Sequence, residues 1–166
     1  TDDGRILGAQ AIGLEGVEKR IDVISMAIQN GATVLDLEEA ELCYAPQYGS
    51  AKDPVNLAGM IAANVMRGYS SVAHWADLGT SDALILDVRE PEEFEKGAVS
   101  GAVNIPLHEL RNRVTELPND REIWVHCLVG QRSYVAERIL RQKGYDVRNI
   151  SGGYMTYTAV EKAGSF

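Results

Sequence analysis

With 166 residues, 45% of them hydrophobic and 24% charged, the chain has the composition of a soluble folded protein large enough for one ordinary domain or two small ones. No apolar run approaches the roughly 18 residues of a membrane span, and a net charge of −8 with scattered basic residues argues against nucleic acid as a partner. Two cysteines, Cys43 and Cys127, exclude a disulfide framework, and without Cys/His pairs at ligand spacing a zinc site is excluded too, so a reducing cytoplasm is expected.

The chain opens Thr1-Asp2-Asp3-Gly4, with no initiator Met and nothing that reads as a signal peptide, which suggests a piece of something longer. Gly4 to Ile12 is an apolar run broken by glycine and predicts the end of a buried strand. Val17, Ile21, Ile24 and Ile28 recur at helical spacing, with Asn30-Gly31 as a left-handed stop. Thr33-Val34-Leu35 predicts a short strand, and Asp36 to Leu42 is acidic and fits no single class. After a loop from Tyr44, Asp53-Pro54 forms an N-cap with proline at the first helical position. The helix then runs through Leu57, Ile61 and Val65 to Arg67-Gly68. Ala58, Gly59, Ala62 and Ala63 make it narrow and suit it to close packing.

Past a linker at Gly68 to Ser71, strands and helices alternate. Ala83 to Val88, Ala102 to Pro106, Ile123 to His126 and Val147 to Ile150 predict strands, the first of them a nearly continuous apolar run of the kind buried on both faces of a parallel sheet. Glu90 to Phe94, Leu107 to Leu117, the segment carrying Val135, Ile139 and Leu140, and the stretch after Ser151-Gly152-Gly153 predict the helices between and after them. Alternation of this kind means an α/β fold with a parallel sheet covered on both faces.

Cys127 stands where the third of these strands gives way to a helix, with Gly130 inside the turn and Arg132 five positions on. In such a turn successive backbone N–H groups can point at one centre, and the helix N-terminus adds positive potential. A thiolate there is favoured and nucleophilic, and a persulfide or thiosulfate sulfur would be held by the same groups. The plain alternative is a buried structural cysteine. Arg132 in the first helical turn opposes the helix dipole, which points to a specific anionic partner. His126 precedes Cys127 on an alternating strand and should face the other way. Cys43 lacks a glycine loop or basic sequence neighbours and reads as inert.

Asp87-Val88-Arg89-Glu90, Gly101-Ala102-Val103-Asn104-Ile105-Pro106, Cys127-Leu128-Val129-Gly130-Gln131-Arg132 and Ser151-Gly152-Gly153 together resemble the ordered motifs of the rhodanese family. The resemblance implies a rhodanese-like parallel sheet flanked by helices over residues 68–166 and sulfurtransferase activity. In it Cys127 would be the persulfide-carrying nucleophile, and Leu128, Val129, Gly130, Gln131 and Arg132 its cradle, with Asp87 and Arg89 as supports beneath the loop. Cysteine, four residues and arginine is similar to the sulfurtransferase loop. The related dual-specificity phosphatases have one residue more. Where relatives read Gly-His-Ile-Pro-Gly-Ala, this chain has Gly97-Ala98-Val99-Ser100-Gly101-Ala102.

Residues 1–67 resemble part of the α+β dimerisation domain of the coenzyme A disulfide reductases, within the pyridine nucleotide-disulfide oxidoreductases. The matching segments are Gly4 to Gln10, Lys19 to Ile24, Tyr44 to Tyr48 and Ala51 to Pro54. The resemblance implies a homodimer, and a longer parent enzyme that uses FAD, NAD(P)H and coenzyme A to reduce a disulfide, persulfide or polysulfide. Tyr44 or Tyr48 would approach the coenzyme A site across the interface. No GxGxxG fingerprint occurs in the chain, so it is expected to bind neither FAD nor NAD(P)H itself. Metal and membrane partners are not expected. The rival function is a non-catalytic dimerisation and interaction module in which the loop only binds.

Overall fold

The structure is a computed structural model and describes residues 1–162 and 164. The chain divides into two compact units, Thr1–Tyr69 and Ser70–Phe166.

The first unit is helical. Helix α1 (Val17–Gln29) ends at Asn30, and Gly31 follows at φ +70°. Helix α3 (Pro54–Met66) starts as expected, with Asp53 capping Val55 N–H and Pro54 in the first turn. Two strand expectations fail. Gly4 to Ile12 forms no strand beyond an isolated antiparallel bridge from Arg5 to Thr33, and Leu7 and Ile12 are 73% and 90% exposed. Its apolar residues have no neighbouring strand to pair with. Thr33 is likewise the N-cap of helix α2 (Val34–Glu39): its hydroxyl accepts the Asp36 N–H while the Asp36 carboxylate accepts the Thr33 N–H. This reciprocal cap outweighs the strand preference of Thr-Val. Helix α2 packs on α3 at Gly59, where a Cβ would lie 2.4 Å from Glu38 N and 2.7 Å from Leu37 C. Asn56 donates to the carbonyls of Leu37 and Ala40, fastening the same pair.

The second unit is a five-stranded, wholly parallel sheet in the order β1-β5-β4-β2-β3. The strands are β1 (Val72–Ala73), β2 (Leu84–Asp87), β3 (Val103–Asn104), β4 (Ile123–His126) and β5 (Val147–Ile150). Between and after them lie α4 (Pro91–Glu95), α5 (Leu110–Arg113), α6 (Gln131–Gln142) and α7 (Gly153–Lys162). Edge strand β1 and the 3-10 turn after it, Trp75–Thr80, carry too few residues for a sequence period. The helix expected through Leu117 is one α-helical turn continued by a 3-10 turn, Val114–Glu116.

Alternation along β2 and β4 builds two cores. Leu84, Leu86, Ile123, Val125 and Cys127 join Leu110, Ala136, Ile139 and Leu140 on one side, whereas Ile85, Trp124 and Ile150 join Trp75 and Val99 on the other. Buried aliphatic side chains of this size each contribute about 1.5–3 kcal/mol, so the central strands anchor whatever their C-terminal ends carry. Among the described residues no helix is long and apolar enough to cross a membrane, and no group of three His, Cys, Asp or Glu residues is placed to hold a metal.

Candidate active site

Strand β4 ends at His126 and α6 begins at Gln131, so the chain turns from strand to helix over Cys127–Gly130, at the C-terminal edge of the sheet where open α/β folds bind ligands. Gly130 sits at φ +115°, which residues with a side chain resist, and there it caps α6. The turn aims donors at the cysteine. Gly130 N–H donates to Cys127 Sγ at 3.2 Å, and the buried Ser133 hydroxyl lies 3.6 Å from the same sulfur. The Ser133 hydroxyl is also 3.0 Å from the Gly130 carbonyl. It has one proton to give, and a charged sulfur is the stronger acceptor.

Burial pushes the Cys127 thiol up, but the Ser133 hydroxyl and the N–H groups of Ser133, Gly130 and Val129 outweigh it and hold the thiol below its ordinary range. The thiolate is therefore more accessible than in an ordinary cysteine, in a site only 1% exposed.

The carbonyls of the turn point the other way. Cys127 C=O accepts Tyr154 N–H at 2.8 Å and Leu128 C=O accepts Met155 N–H at 3.0 Å, both from the first turn of α7. Because a trans peptide sets N–H opposite C=O, anchoring these carbonyls turns the following N–H groups away from α7, and the Val129 N–H is among the donors to the sulfur. Gly153 permits the approach: at φ +57°, a Cβ there would lie 2.6 Å from both carbonyl oxygens. Trp75 Nε1–H fixes the Gly153 carbonyl at 3.0 Å.

Arg132 is gripped by Glu93 through two hydrogen bonds of 2.6 and 2.8 Å, and this contact brings the Glu93 carboxyl down to about 2 and raises the guanidinium. The Arg132 charge and the Cys127 sulfur attract one another. Glu93 rides on α4, and the end of α4 is held by Arg89, which donates to the carbonyls of Glu93 and Gly97 at 3.2 and 2.8 Å. Arg89 is itself paired with Asp87 at 2.6–3.0 Å, with both side chains buried. Asp87 and Arg89 thus bear on the loop through α4.

Cys127, Arg132, the loop between them, Asp87 and Arg89 are assembled at one edge of the sheet. Leu128, Val129 and Gln131 turn their side chains outward, so the cradle is main chain. His126 lies on the face away from Cys127, against Trp75. Tyr44 and Tyr48 belong to the other unit and are 57% and 84% exposed, beside a turn closed on the Ala45 carbonyl. Cys43 is exposed and lines a cleft with Lys19, Arg20, Leu42 and Asp53, so two basic residues distant in sequence share its cleft. Arg20 is paired to Asp53 at 3.0 Å.

Sequence reasoning missed Ser133 and Glu93. Ser133 had a signal, a hydroxyl in the first turn of the helix that follows the cysteine. Glu93 had none that set it apart from Glu90, Glu92 and Glu95.

A sulfurtransferase of Allochromatium vinosum is 38% identical over 79 residues, 47% of this chain and 74% of that protein. Among solved structures, reduced Bacillus anthracis CoADR-RHD superposes with a TM-score of 0.85 at 45% identity, over 89% of this chain and 27% of that one. An NAD-dependent persulfide reductase from A. fulgidus gives 0.76 and 41%, over 86% of this chain and 26% of its own. The chain thus spans about a quarter of each of these two structures. Residues 72–159, which contain the sheet, the cysteine loop and its supports, match the family model of the rhodanese-like domain, and the chain belongs to that family.

Proposed function

We propose that Cys127 carries sulfane sulfur as a persulfide. The observation that carries this reading is the buried sulfur with donors converging on it from Gly130, Ser133 and Val129, which stabilise negative charge without a metal. The thiolate attacks the outer sulfur of a donor such as thiosulfate, polysulfide or coenzyme A persulfide. A new S–S bond forms to Cys127 as the donor's own S–S bond breaks, and sulfite, a polysulfide shorter by one sulfur or the coenzyme A thiolate, according to the donor, leaves with the electron pair. An acceptor thiolate then attacks the outer sulfur, taking it as a persulfide and returning Cys127 to the thiolate.

The likeness to a persulfide reductase and to CoADR-RHD supports placing this transfer within a longer reductase; we propose further that this enzyme is a cytoplasmic homodimer reducing disulfide, persulfide or polysulfide, with coenzyme A as acceptor and Tyr44 or Tyr48 near it. FAD and NAD(P)H would belong to the rest of that enzyme. The strand-to-helix turn here is built around a cysteine, not a glycine-rich pyrophosphate cradle, and no step on this chain passes through either cofactor.

Cyanolysis tests the transfer. After loading with thiosulfate or polysulfide and removal of excess donor, cyanide should release thiocyanate from the wild-type chain. An equal yield from Cys127→Ala would refute the proposal.

A further inference from the structure

On the face of the loop opposite the sulfur lies one group that the transfer leaves unused. His126 is wholly buried, edge-on to Trp75 with ring centroids 5.3 Å apart and nearly parallel to Tyr154 at 6.2 Å. Its Nδ1 is 3.3 Å from the Cys127 carbonyl oxygen, the same oxygen that Tyr154 N–H holds. Its Nε2 has no hydrogen-bond partner among the described residues and stands 3.7 Å from Asp87 Oδ2, a carboxylate already engaged by Arg89.

A neutral imidazole has one ring proton to place. On Nε2 that proton would find no acceptor within hydrogen-bond reach and would leave the Nδ1 lone pair facing a carbonyl oxygen. On Nδ1 it donates to that oxygen. A charged ring would satisfy both sides, but burial opposes it and outweighs the pull of the Asp87 carboxylate and the Cys127 carbonyl, with a smaller opposition from the Arg89 cation.

We infer that His126 is a positioning residue, whose neutral Nδ1–H tautomer pins the Cys127 carbonyl and thereby fixes the peptide plane on which the turn around the reactive sulfur begins. It acts through Cys127, so its kinetic consequence rests on Cys127 being the nucleophile. The two hydrogen bonds on one carbonyl divide the work: Tyr154 ties it to α7, and His126 ties it to the strand below.

Long-range proton–nitrogen correlation spectra of the full chain, with His126 distinguished from His74 and His108 by His126→Gln, read the tautomer directly. A neutral ring protonated at Nδ1 near pH 7 supports the inference; protonation at Nε2, or an imidazolium, overturns it. A kinetic arm follows alkylation of Cys127 across pH. His126→Phe keeps a ring without a donor and is expected to slow alkylation about threefold to tenfold, the size of one neutral hydrogen bond, and to move the profile to higher pH. His126→Asn sets an amide N–H near the former Nδ1 and should restore the rate to within about twofold. Equal rates in all three proteins, or a loss in His126→Phe that His126→Asn fails to restore, overturns the role. Absence of cyanolysis alongside the Nδ1–H tautomer and the kinetic pattern would refute the sulfur-carrier reading while supporting His126 as the pin.

Discussion

Replacing Ser133 by alanine removes a buried hydroxyl 3.6 Å from Cys127 Sγ and leaves the N–H donors in place. A hydrogen bond to a charged acceptor contributes about 1.5–3 kcal/mol. The lower end applies here, because the contact is long and the Gly130 carbonyl competes for the same proton. Losing roughly 1.5 kcal/mol of thiolate stabilisation raises the Cys127 thiol and lowers its thiolate population below the midpoint about tenfold. The sign is unambiguous, since the hydroxyl favours the charged form and its removal favours the thiol. The assay is the rate of iodoacetamide alkylation against pH, read by mass spectrometry on the Cys127 peptide in a Cys43→Ala background, because Cys43 is exposed and would also react. Well below the midpoint the rate should fall about tenfold. A folded Ser133→Ala protein whose midpoint moves by less than about 0.3 unit would refute the assignment of Ser133 as a thiolate donor.

Glu93→Gln should destabilise the protein by about 1 kcal/mol at neutral pH, a figure reduced for the solvent that reaches a pair about one-third exposed. The Glu93 carboxyl is depressed to about 2 when folded, so its stabilising effect is full above the ordinary carboxylate pKa and vanishes as pH falls toward 2. Urea titrations of both proteins between pH 5 and pH 2 should therefore converge, and a constant difference would contradict the linkage. Asp87→Asn leaves the 2%-exposed Arg89 without its carboxylate and should lower stability by about 3–5 kcal/mol, read as the shift in urea midpoint. Gly59→Ala forces α2 off α3 and should speed amide hydrogen exchange in those two helices at a penalty of about 1–3 kcal/mol, leaving the protection of β4 unchanged.

The sheet was legible because buried parallel strands are written as uninterrupted apolar runs: Leu84 to Asp87 and Ile123 to His126 are buried at every position, and no amphipathic helix offers that pattern. The same rule misled at Gly4 to Ile12, where apolar residues lie exposed without a sheet to join. Thr33 was misread because a capping box depends on a pair three residues apart, Thr33 and Asp36, while local preference sees only Thr-Val. In the site, Cys127, Gly130 and Arg132 could be read because chemistry demands those residue types. The partners that tune them come from elsewhere in the chain. Glu93 reaches Arg132 across 39 positions, and α7 closes on the loop through backbone groups that carry no side-chain signature.

That closure by α7 separates two properties that a catalytic loop usually binds together. Within the turn itself, reactivity is written in the main chain: N–H groups face inward, carbonyls are moored on α7, and a glycine opens the space for the mooring. The outward side chains of Leu128, Val129 and Gln131 take no part in it. Their identities are free to drift, altering which molecule is admitted to the sulfur while its acidity stays where the backbone and the Ser133 hydroxyl set it. The loop therefore works as a fixed electrode behind an exchangeable faceplate, and a lineage could change what reaches the thiol by altering three exposed residues without rebuilding the thiol's surroundings.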